Sequence, residues 1–319
     1  MTRNASIQRH HHITLNVGDP QEDYDFHTKL LGLKSVKKTA LYDGDEPIFH
    51  FYYGNEAAQE SALITCFPMR QSGRKARRGS GQISTLALSV APSSLDWWAK
   101  RLAANGRTVR RGERFGSSLL SFTHPCGIEY ELVGVDGDVR QPNAHGPVPV
   151  EYGIRGTHGI TVSVRDLPDS EEFLTDGWTG AKRKTDGRVT RYEVGSGGTG
   201  TIVDLRNDPD IPQGSWAYGE GVVHHCAFQV SDLDVQARVK FILEGQGYTD
   251  VSERKDRGYF DSVYVRMPGG ALFEAAVSKP AGFLVDEPKE SLGKTLQIPP
   301  PFLHRKDEII KHLGPLPRD

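Results

Sequence analysis

The sequence contains no apolar run that approaches the roughly 18 residues needed to cross a membrane as a helix. Its start, Met1–Gln8, lacks the apolar core of a secretory signal peptide. The charges nearly cancel, with 39 Lys and Arg against 41 Asp and Glu, so no global field favours nucleic acid or an anionic membrane. The three cysteines, an odd number spread along the chain, argue against a disulfide framework: Cys66, Cys126 and Cys226. We therefore expect a cytoplasmic protein whose partners include neither nucleic acid nor a membrane.

A similar segment recurs four times along the 319-residue chain. Each copy opens with a strand-like run, and the leading positions lie 73, 73 and 67 residues apart: His12, Thr85, His158 and His225. A helical stretch follows each run: 19–31, 93–104, 167–175 and 233–244. Alternating apolar and polar residues then predict two or three antiparallel strands, as in Ile48–Tyr53 and Ser262–Arg266. The pattern predicts an α+β fold of four βαβββ modules.

A second internal match supports the repeat. Two stretches carry Pro, Gly and Glu at the same offsets, Pro125–Glu131 and Pro268–Glu274, which places Glu131 and Glu274 alike in modules two and four. A chain of this length exceeds a usual single core, and the breaker-rich segment 136–156 is typical of an interdomain linker. We predict modules one and two in residues 1–145, modules three and four in 146–280, and a C-terminal tail in 281–319.

Histidine doublets open the first strands of modules one and four, His11-His12 and His224-His225. Side chains alternate between the two faces of a strand, so one histidine of each doublet is expected to face inward. Glu274 lies among apolar residues, where a charge is costly unless it is paired or metal-bound. Two imidazoles and one carboxylate on strands indicate a 2-His-1-carboxylate metal site, which leaves positions for substrate and O₂.

The pairing of the modules decides which residues share a cavity. The repeat places one set of residues alike on the first strands and another on the last strands: His12, Thr85, His158 and His225, then Thr65, Glu131, Asp204 and Glu274. Pairing modules one and four brings together His12, His225 and Glu274, whereas pairing three and four adds His158 to His225 and Glu274. Spacing does not choose, but the similarity of the two doublets favours one with four. In modules two and three, His158, Glu131 and Asp204 are then either a degenerate cavity, which we favour, or a second metal site.

A family resemblance runs over nearly the whole chain. The four modules with their His, His, Glu set resemble the vicinal oxygen chelate superfamily, which includes glyoxalase I, fosfomycin resistance proteins and extradiol dioxygenases. More specifically, the chain resembles the hydroquinone ring-cleaving dioxygenases, which act on 2,6-dichlorohydroquinone and chlorohydroquinone. The stretches that carry this likeness are His11-His12-Ile13-Thr14, Leu41-Tyr42-Asp43-Gly44, Gly79-Ser80, Gln213-Gly214-Ser215-Trp216, Arg257-Gly258-Tyr259-Phe260 and Pro268-Gly269-Gly270.

The resemblance implies a fold, a cofactor and a reaction. It implies two glyoxalase/extradiol-dioxygenase-like barrel domains, Fe(II) held by His12, His225 and Glu274, and a homo-oligomeric assembly. It implies that substrate is contacted or protonated by five further residues: His11, Thr14, His224, Arg257 and Tyr264. The implied reaction inserts O₂ into a substituted para-hydroquinone, halogenated or alkylated, to give a maleylacetate-type product.

Three other functions compete with this one. A catechol-type extradiol dioxygenase would use the same metal pattern on an ortho-diol. A glyoxalase-like isomerase is less favoured, since Thr65 stands where such sites usually offer a carboxylate. A small-molecule binding protein is disfavoured by the length of the chain and the full metal triad. The Gly195–Gly200 run formally matches a dinucleotide-binding loop, but a strand-like run follows it, so a hairpin loop is expected.

Overall fold

The computed structural model describes residues 7–41, 46–216 and 219–318 and contains four similar βαβββ modules. Module one consists of β1 (Arg9–Val17), α1 (Pro20–Asp25), a π-helical turn (Phe26–Leu30), β2 (Lys34–Leu41), β3 (Ile48–Gly54) and β4 (Leu63–Pro68). Module two consists of β5 (Gln82–Val90), α2 (Leu95–Ala104), β6 (Arg110–Arg114), β7 (Ser117–Thr123) and β8 (Glu129–Gly134). Module three consists of β9 (Gly156–Val164), α3 (Leu167–Glu172), a π-helical turn (Phe173–Gly177), β10 (Ala181–Asp186), β11 (Val189–Glu193) and β12 (Ile202–Asn207). Module four consists of β13 (Val222–Gln229), α4 (Leu233–Gly245), β14 (Lys255–Asp256), β15 (Phe260–Arg266) and β16 (Leu272–Ser278).

Local sequence explains where the module helices begin. Helices α1, α3 and α4 each start after an aspartate, Asp19, Asp166 and Asp232, whose carboxylate accepts a hydrogen bond from a backbone N–H of the first turn. Such a cap satisfies donors that have no partner inside the helix. The first strands are buried on both faces, as expected for strands covered by helices on one side and by a cavity on the other.

The strands form two mixed sheets. The nine-stranded sheet has the order β14-β15-β16-β13-β1-β4-β3-β2-β17, in which β17 (Leu296–Gln297) comes from the C-terminal tail. The eight-stranded sheet has the order β10-β11-β12-β9-β5-β8-β7-β6. Modules one and four therefore share one sheet and modules two and three share the other, each pair joined through its antiparallel first strands.

The predicted fold class, α+β with four βαβββ modules in two glyoxalase-like halves, is confirmed. Each sheet draws on both halves of the chain, and the division into residues 1–145 and 146–280 stays a prediction. The hairpin loop expected at Gly195–Gly200 lies between β11 and β12. The stretch Tyr42-Asp43-Gly44, which contributes to the family resemblance, lies outside the described residues.

One expected alignment is wrong by a residue. Thr14 and Ala87 are equivalent in β1 and β5, and they pair with His225 and Gly159 respectively. Gly159, not His158, therefore occupies the position of His225. His158 lies at a β-bulge in β9, as His224 does in β13. Each bulge inserts one residue without a cross-strand partner, a feature that repeat spacing does not reveal.

The C-terminal tail returns to the nine-stranded sheet. Its strand β17 pairs with β2, and its helix α5 (Lys306–Leu313) follows a 3₁₀ segment, Pro300–Arg305. Residues Phe302 and Leu313 of the tail line the cavity beside this sheet. Among the described residues, no helix has the length and apolar character needed to span a membrane.

Candidate active site

A cavity of about 1050 Å³ lies against the nine-stranded sheet. Strands β1, β13 and β15 contribute His12, His225 and Tyr264 to its wall, and β16, between β13 and β15, carries Glu274, whose Oε2 lies within 4 Å of both histidines. Residues that are more than 200 positions apart therefore become neighbours because the first strands of modules one and four pair with each other.

Three buried side chains converge beside this cavity, and two of them, His12 and His225, line it. The Nε2 atoms of His12 and His225 lie 3.1 Å apart. Glu274 Oε2 lies 2.9 Å from His225 Nε2 and 3.7 Å from His12 Nε2. These are two imidazoles and one carboxylate on adjacent strands, so the arrangement offers a cation three ligand atoms from one side.

The surroundings of Glu274 fit a bound cation. Its Oε1 atom accepts a hydrogen bond of 2.6 Å from Ser262 Oγ, whereas its buried Oε2 atom has no well-directed hydrogen-bond partner. Burial would raise the pKa of Glu274, but the electrostatic effects of His12 and His225 hold it well below its ordinary value. Ligands about 2.0–2.2 Å from a metal and at right angles lie about 3 Å apart, close to the spacing found here. The donor set is that of non-haem Fe(II) oxygenases.

Both histidine doublets contain a β-bulge. The register of β1 with β13 skips His11 on one strand and His224 on the other. A bulge turns the extra residue away from strict alternation, and each extra histidine contacts its neighbour: His11 Nδ1 lies 2.8 Å from His12 Nδ1, and His224 Nδ1 lies 2.6 Å from His225 Nδ1. The expectation that only one member of each doublet faces inward missed these bulges. His224 lines the cavity, while His11 is buried behind His12.

A hydrogen-bonded group on module one extends the site. Thr14 Oγ1 lies 3.0 Å from His225 Nε2 and 2.7 Å from Thr65 Oγ1. His50 Nε2 contacts Thr65 Oγ1 at 2.9 Å, and Tyr52 OH contacts His50 Nδ1 at 3.1 Å. Burial holds the pKa of His50 well below its ordinary value. Sequence reasoning missed His50 and Tyr52, although their alternation in β3 marks them as sharing a face.

The predicted substrate residues of module four also face the cavity. Tyr264 packs edge-on against His225, with ring centroids 5.7 Å apart. Arg257 Nε donates a hydrogen bond of 3.2 Å to Tyr264 OH. Burial raises the pKa of Tyr264 above its ordinary value, so its hydroxyl keeps its proton at neutral pH. Tyr264 and Arg257 therefore offer hydrogen-bond donors next to the three converging ligand atoms.

The corresponding position in the eight-stranded sheet is filled by arginine. Glu131 forms an ion pair with Arg114, and Asp204 forms a bidentate pair with Arg191, at 2.8 Å for both contacts. In the part of the chain that the structure describes, His158, Glu131 and Asp204 do not bring three ligand atoms together. The guanidinium groups of Arg114 and Arg191 supply the positive charge that balances these two carboxylates.

The pH dependence of stability tests whether His158 is buried in its neutral form in the eight-stranded sheet. Burial, reinforced by Arg191 and Arg114, lowers its pKa from 6.5 to about 3. As the pH falls, His158 is therefore protonated in the unfolded chain before it is protonated in the folded protein. The free energy of unfolding should keep this contribution above about pH 6.5 and fall by up to ~1.4 kcal/mol per pH unit below it. We expect His158→Gln to lose less unfolding free energy than the wild type between about pH 6.5 and about pH 4, measured by urea denaturation. If the free energy of unfolding depended on pH in the same way in both proteins, the lowered pKa of His158 would be contradicted.

A second buried cluster joins modules one and two. Asp23 Oδ2 accepts hydrogen bonds of 2.7 Å from Tyr53 OH and Cys66 Sγ, and Asp23 Oδ1 lies 3.2 Å from His27 Nδ1 and 3.3 Å from His124 Nε2. The backbone N–H of Cys126 donates to His124 Nδ1, which places the proton of a neutral His124 on Nε2, facing the carboxylate. Hydrogen bonds to Asp23 Oδ2 account for Tyr53 and Cys66, whereas Asp23 Oδ1 and His124 Nε2 have no well-directed hydrogen-bond partner, and with His27 they bring three potential ligand atoms together. Sequence reasoning did not find it, because its members lie on α1, the π-helical turn, β3, β4 and the loop after β7.

Comparisons with known proteins place the chain in a family. A family model described as Glyoxalase/Bleomycin resistance protein/Dioxygenase superfamily matches residues 9–132. Chlorohydroquinone/hydroquinone 1,2-dioxygenase of Sphingobium indicum is 44% identical over 307 residues, which cover 95% of each chain. A crystal structure of a candidate dioxygenase from Bacillus subtilis superposes with a TM-score of 0.88 at 30% identity and covers 98% of each chain. Glyoxalase I from Zea mays, at 15% identity, shares the fold with a TM-score of 0.59 over 86% of this chain and 94% of its own. The predicted resemblance is thereby confirmed: this chain belongs to the glyoxalase/bleomycin resistance protein/dioxygenase superfamily, in the group that contains chlorohydroquinone/hydroquinone 1,2-dioxygenase.

Proposed function

We propose that this protein is an Fe(II)-dependent ring-cleaving dioxygenase that inserts O₂ into a substituted para-hydroquinone and gives a maleylacetate-type product. The observation that carries the proposal is the convergence of His12, His225 and Glu274 beside a large cavity that the two histidines line. The Sphingobium indicum relative, named for chlorohydroquinone and hydroquinone, supports the substrate class.

The three converging side chains would hold the iron. Both imidazoles present Nε2, and Glu274 presents Oε2, the carboxylate oxygen without a well-directed hydrogen bond. When bound, Fe(II) supplies open coordination positions for a phenolic oxygen and O₂ and lets electrons pass from the ring to O₂. A neutral state of both histidines is required for this role, and burial keeps the pKa of His12 well below its ordinary value.

His224 is the residue that we assign to proton transfer. It lines the cavity, and its pKa is held well below the ordinary value by burial and by neighbouring positive charge, so its imidazole is neutral at physiological pH. Its Nδ1 atom accepts from His225 Nδ1–H, so the proton of neutral His224 is on Nε2. Nε2–H would donate a hydrogen bond to an oxygen on which negative charge develops and would act there as a general acid, and His224 would regain the proton from solvent through the cavity.

Tyr264, Arg257 and Thr14 would orient the reacting oxygens. Tyr264 OH keeps its proton and is held by Arg257 Nε at 3.2 Å, so both groups can donate hydrogen bonds to developing negative charge. Thr14 Oγ1 lies 3.0 Å from His225 Nε2, the proposed ligand atom, so its hydroxyl would face oxygens bound beside that ligand. His11 contacts His12 and does not line the cavity, so we assign it to positioning His12 rather than to contact with substrate.

The remaining wall suits an aromatic ring with apolar substituents. The cavity volume of about 1050 Å³ is at the upper end of the range for small-molecule sites. Aromatic and aliphatic side chains surround the polar floor: Phe49, Phe67, Phe260, Leu272, Phe302 and Leu313. Such a wall would accept chlorine or methyl groups on the ring and exclude water from it.

Oxygen consumption after anaerobic loading with Fe(II) tests the proposal. We expect uptake with hydroquinone and chlorohydroquinone, one O₂ for each ring opened, and an acidic ring-opened product detected by mass spectrometry. Protein without added iron is the control. Uptake with catechol alone would assign the enzyme to the ortho-diol class, and no uptake with any of these phenols would contradict the proposal. The cytoplasmic location and the homo-oligomeric assembly stay predictions.

A further inference from the structure

A chain of hydrogen bonds runs from the metal-binding histidine of module one to a partly exposed carboxylate. His12 Nδ1 lies 2.8 Å from His11 Nδ1, and His11 Nε2 lies 2.8 Å from Ser278 Oγ. Ser278 Oγ donates a hydrogen bond of 2.6 Å to Glu60 Oε1. Ser278 is the last residue of β16, four positions after Glu274, so the strand that carries the carboxylate ligand also carries this link.

The donor and the acceptor of each of these hydrogen bonds can be assigned by starting from the carboxylate of Glu60. Burial would raise the pKa of Glu60, but the hydrogen bond from Ser278 and nearby positive charge lower it overall, so the carboxylate is ionised at neutral pH and only accepts. Ser278 must then donate its single proton to Glu60, which leaves its oxygen to accept from His11 Nε2–H. A neutral His11 therefore has a bare Nδ1, which accepts from His12 Nδ1–H. The bare nitrogen of His12 is consequently Nε2, the atom that faces Glu274 and His225.

The loop that presents Glu60 is attached to the bulge at His11. Ser61 N donates a hydrogen bond of 3.2 Å to the backbone oxygen of His11. Ser61 has φ of 65°, in the left-handed region that residues other than glycine seldom adopt. Such a conformation persists only where the surrounding structure holds it, and it is frequent beside functional sites. In the eight-stranded sheet, the position equivalent to His11 is Ser84, whose hydroxyl bonds to the backbone oxygen of Thr161.

We propose that Glu60 and Ser278 are positioning residues that set the tautomer of His12, through His11, and so present Nε2 of His12 as a metal ligand. The inference rests on the proposed function, since it concerns a ligand of the proposed iron site. Groups behind a metal-binding histidine that fix its tautomer typically contribute 10- to 100-fold to metal affinity. Neither Glu60 nor Ser278 lines the cavity, so neither is assigned to contact with substrate.

Metal affinity and histidine tautomers together test the proposal. Fe(II) affinity of the full-length protein would be measured anaerobically by competition with a colorimetric chelator, in the wild type and in Ser278→Ala, Ser278→Thr and Glu60→Ala. We expect Ser278→Ala and Glu60→Ala to bind Fe(II) about 10- to 100-fold more weakly, and Ser278→Thr, which keeps the hydroxyl, to restore most of the affinity. Two matched controls should keep wild-type affinity. Ser163→Ala removes a buried serine–carboxylate bond of 2.6 Å to Asp208 in the other sheet, and Glu56→Gln changes a partly exposed glutamate of the same loop.

Nitrogen-15 NMR of the metal-free protein gives a readout that a general loss of stability would not produce. We expect the Nε2–H tautomer for His11 and the Nδ1–H tautomer for His12 in the wild type, and loss of this pattern in Ser278→Ala. Unchanged tautomers or unchanged Fe(II) affinity in Ser278→Ala and Glu60→Ala would overturn the inference. Failure of the proposed function is distinguishable, because the wild type would then bind Fe(II) no better than His12→Ala.

Discussion

Glu274→Ala is expected to abolish both iron retention and ring cleavage. The carboxylate is the only acidic ligand of the converging set, and its removal leaves two neutral imidazoles that cannot balance the charge of Fe(II). A bound metal provides several kcal/mol of stabilisation to charge that develops in the transition state, so turnover should fall by about 1,000-fold or more. Iron per chain after desalting and O₂ uptake with chlorohydroquinone measure the two effects.

The matched control for this change is Glu131→Ala. Glu131 ends the same Pro–Gly–Glu pattern in module two, but it pairs with Arg114 in the other sheet. We expect Glu131→Ala to keep its iron and most of its activity, with a loss of stability confined to the arginine-filled cavity. Circular dichroism separates misfolding from loss of the metal in both variants. Full iron content in Glu274→Ala would remove Glu274 from the ligand set.

His224→Gln is expected to lower kcat by about 10²–10⁴-fold while iron is retained at saturating Fe(II). Proton transfer by a positioned side chain is worth about this much. Glutamine keeps an oxygen that can accept from His225 Nδ1–H, so the orientation of His225 is preserved, but its side-chain amide cannot serve as a general acid. Steady-state kinetics with hydroquinone, on protein whose iron content has been measured, give the result.

His158→Gln supplies the matched comparison for His224. Both histidines occupy the same bulge position in the two sheets, yet only His224 lines the large cavity. We expect wild-type kcat for His158→Gln and a loss for His224→Gln alone. If kcat of iron-loaded His224→Gln stayed within about twofold of the wild-type value, proton transfer would have to be assigned to another group, such as His50, which also lines the cavity.

The paired sheets also explain why the two halves of the protein have diverged in chemistry while keeping one fold. In one sheet the central positions are His12, His225 and Glu274, and in the other they are Thr85, Gly159 and Asp204. Without imidazoles, the carboxylates of the second sheet are neutralised by Arg114 and Arg191. A buried carboxylate requires a positive partner in either sheet, and in the proposed function a metal takes the place next to Glu274 that guanidinium groups take next to Glu131 and Asp204.

The sequence by itself determined a large part of this protein. The repeat spacing identified four modules, since each module must place apolar residues on the same faces of the same elements. The two doublets and Glu274 were found because a charge among apolar residues is costly unless it is paired or metal-bound, and because histidines on strands can supply the other ligands of a metal. The motifs around His11, Arg257 and Pro268 were sufficient to predict the family.

The similarity of the two doublets already favoured the pairing of modules one and four, whereas tertiary structure alone decided the bulges at His11 and His224 and the bonds from Ser278 to Glu60. Repeat spacing left the pairing open, because strand pairing between positions over 200 residues apart depends on the packing of whole modules. A bulge shifts the strand register by a single residue, and repeat spacings vary by more than that between modules. The spacing therefore aligned His158 with His225, whereas in the structure His158 corresponds to His224. Hydrogen-bond partners such as Glu60 lie on a loop whose backbone path is set by tertiary contacts, so only the folded chain shows that the loop reaches the metal-binding strand.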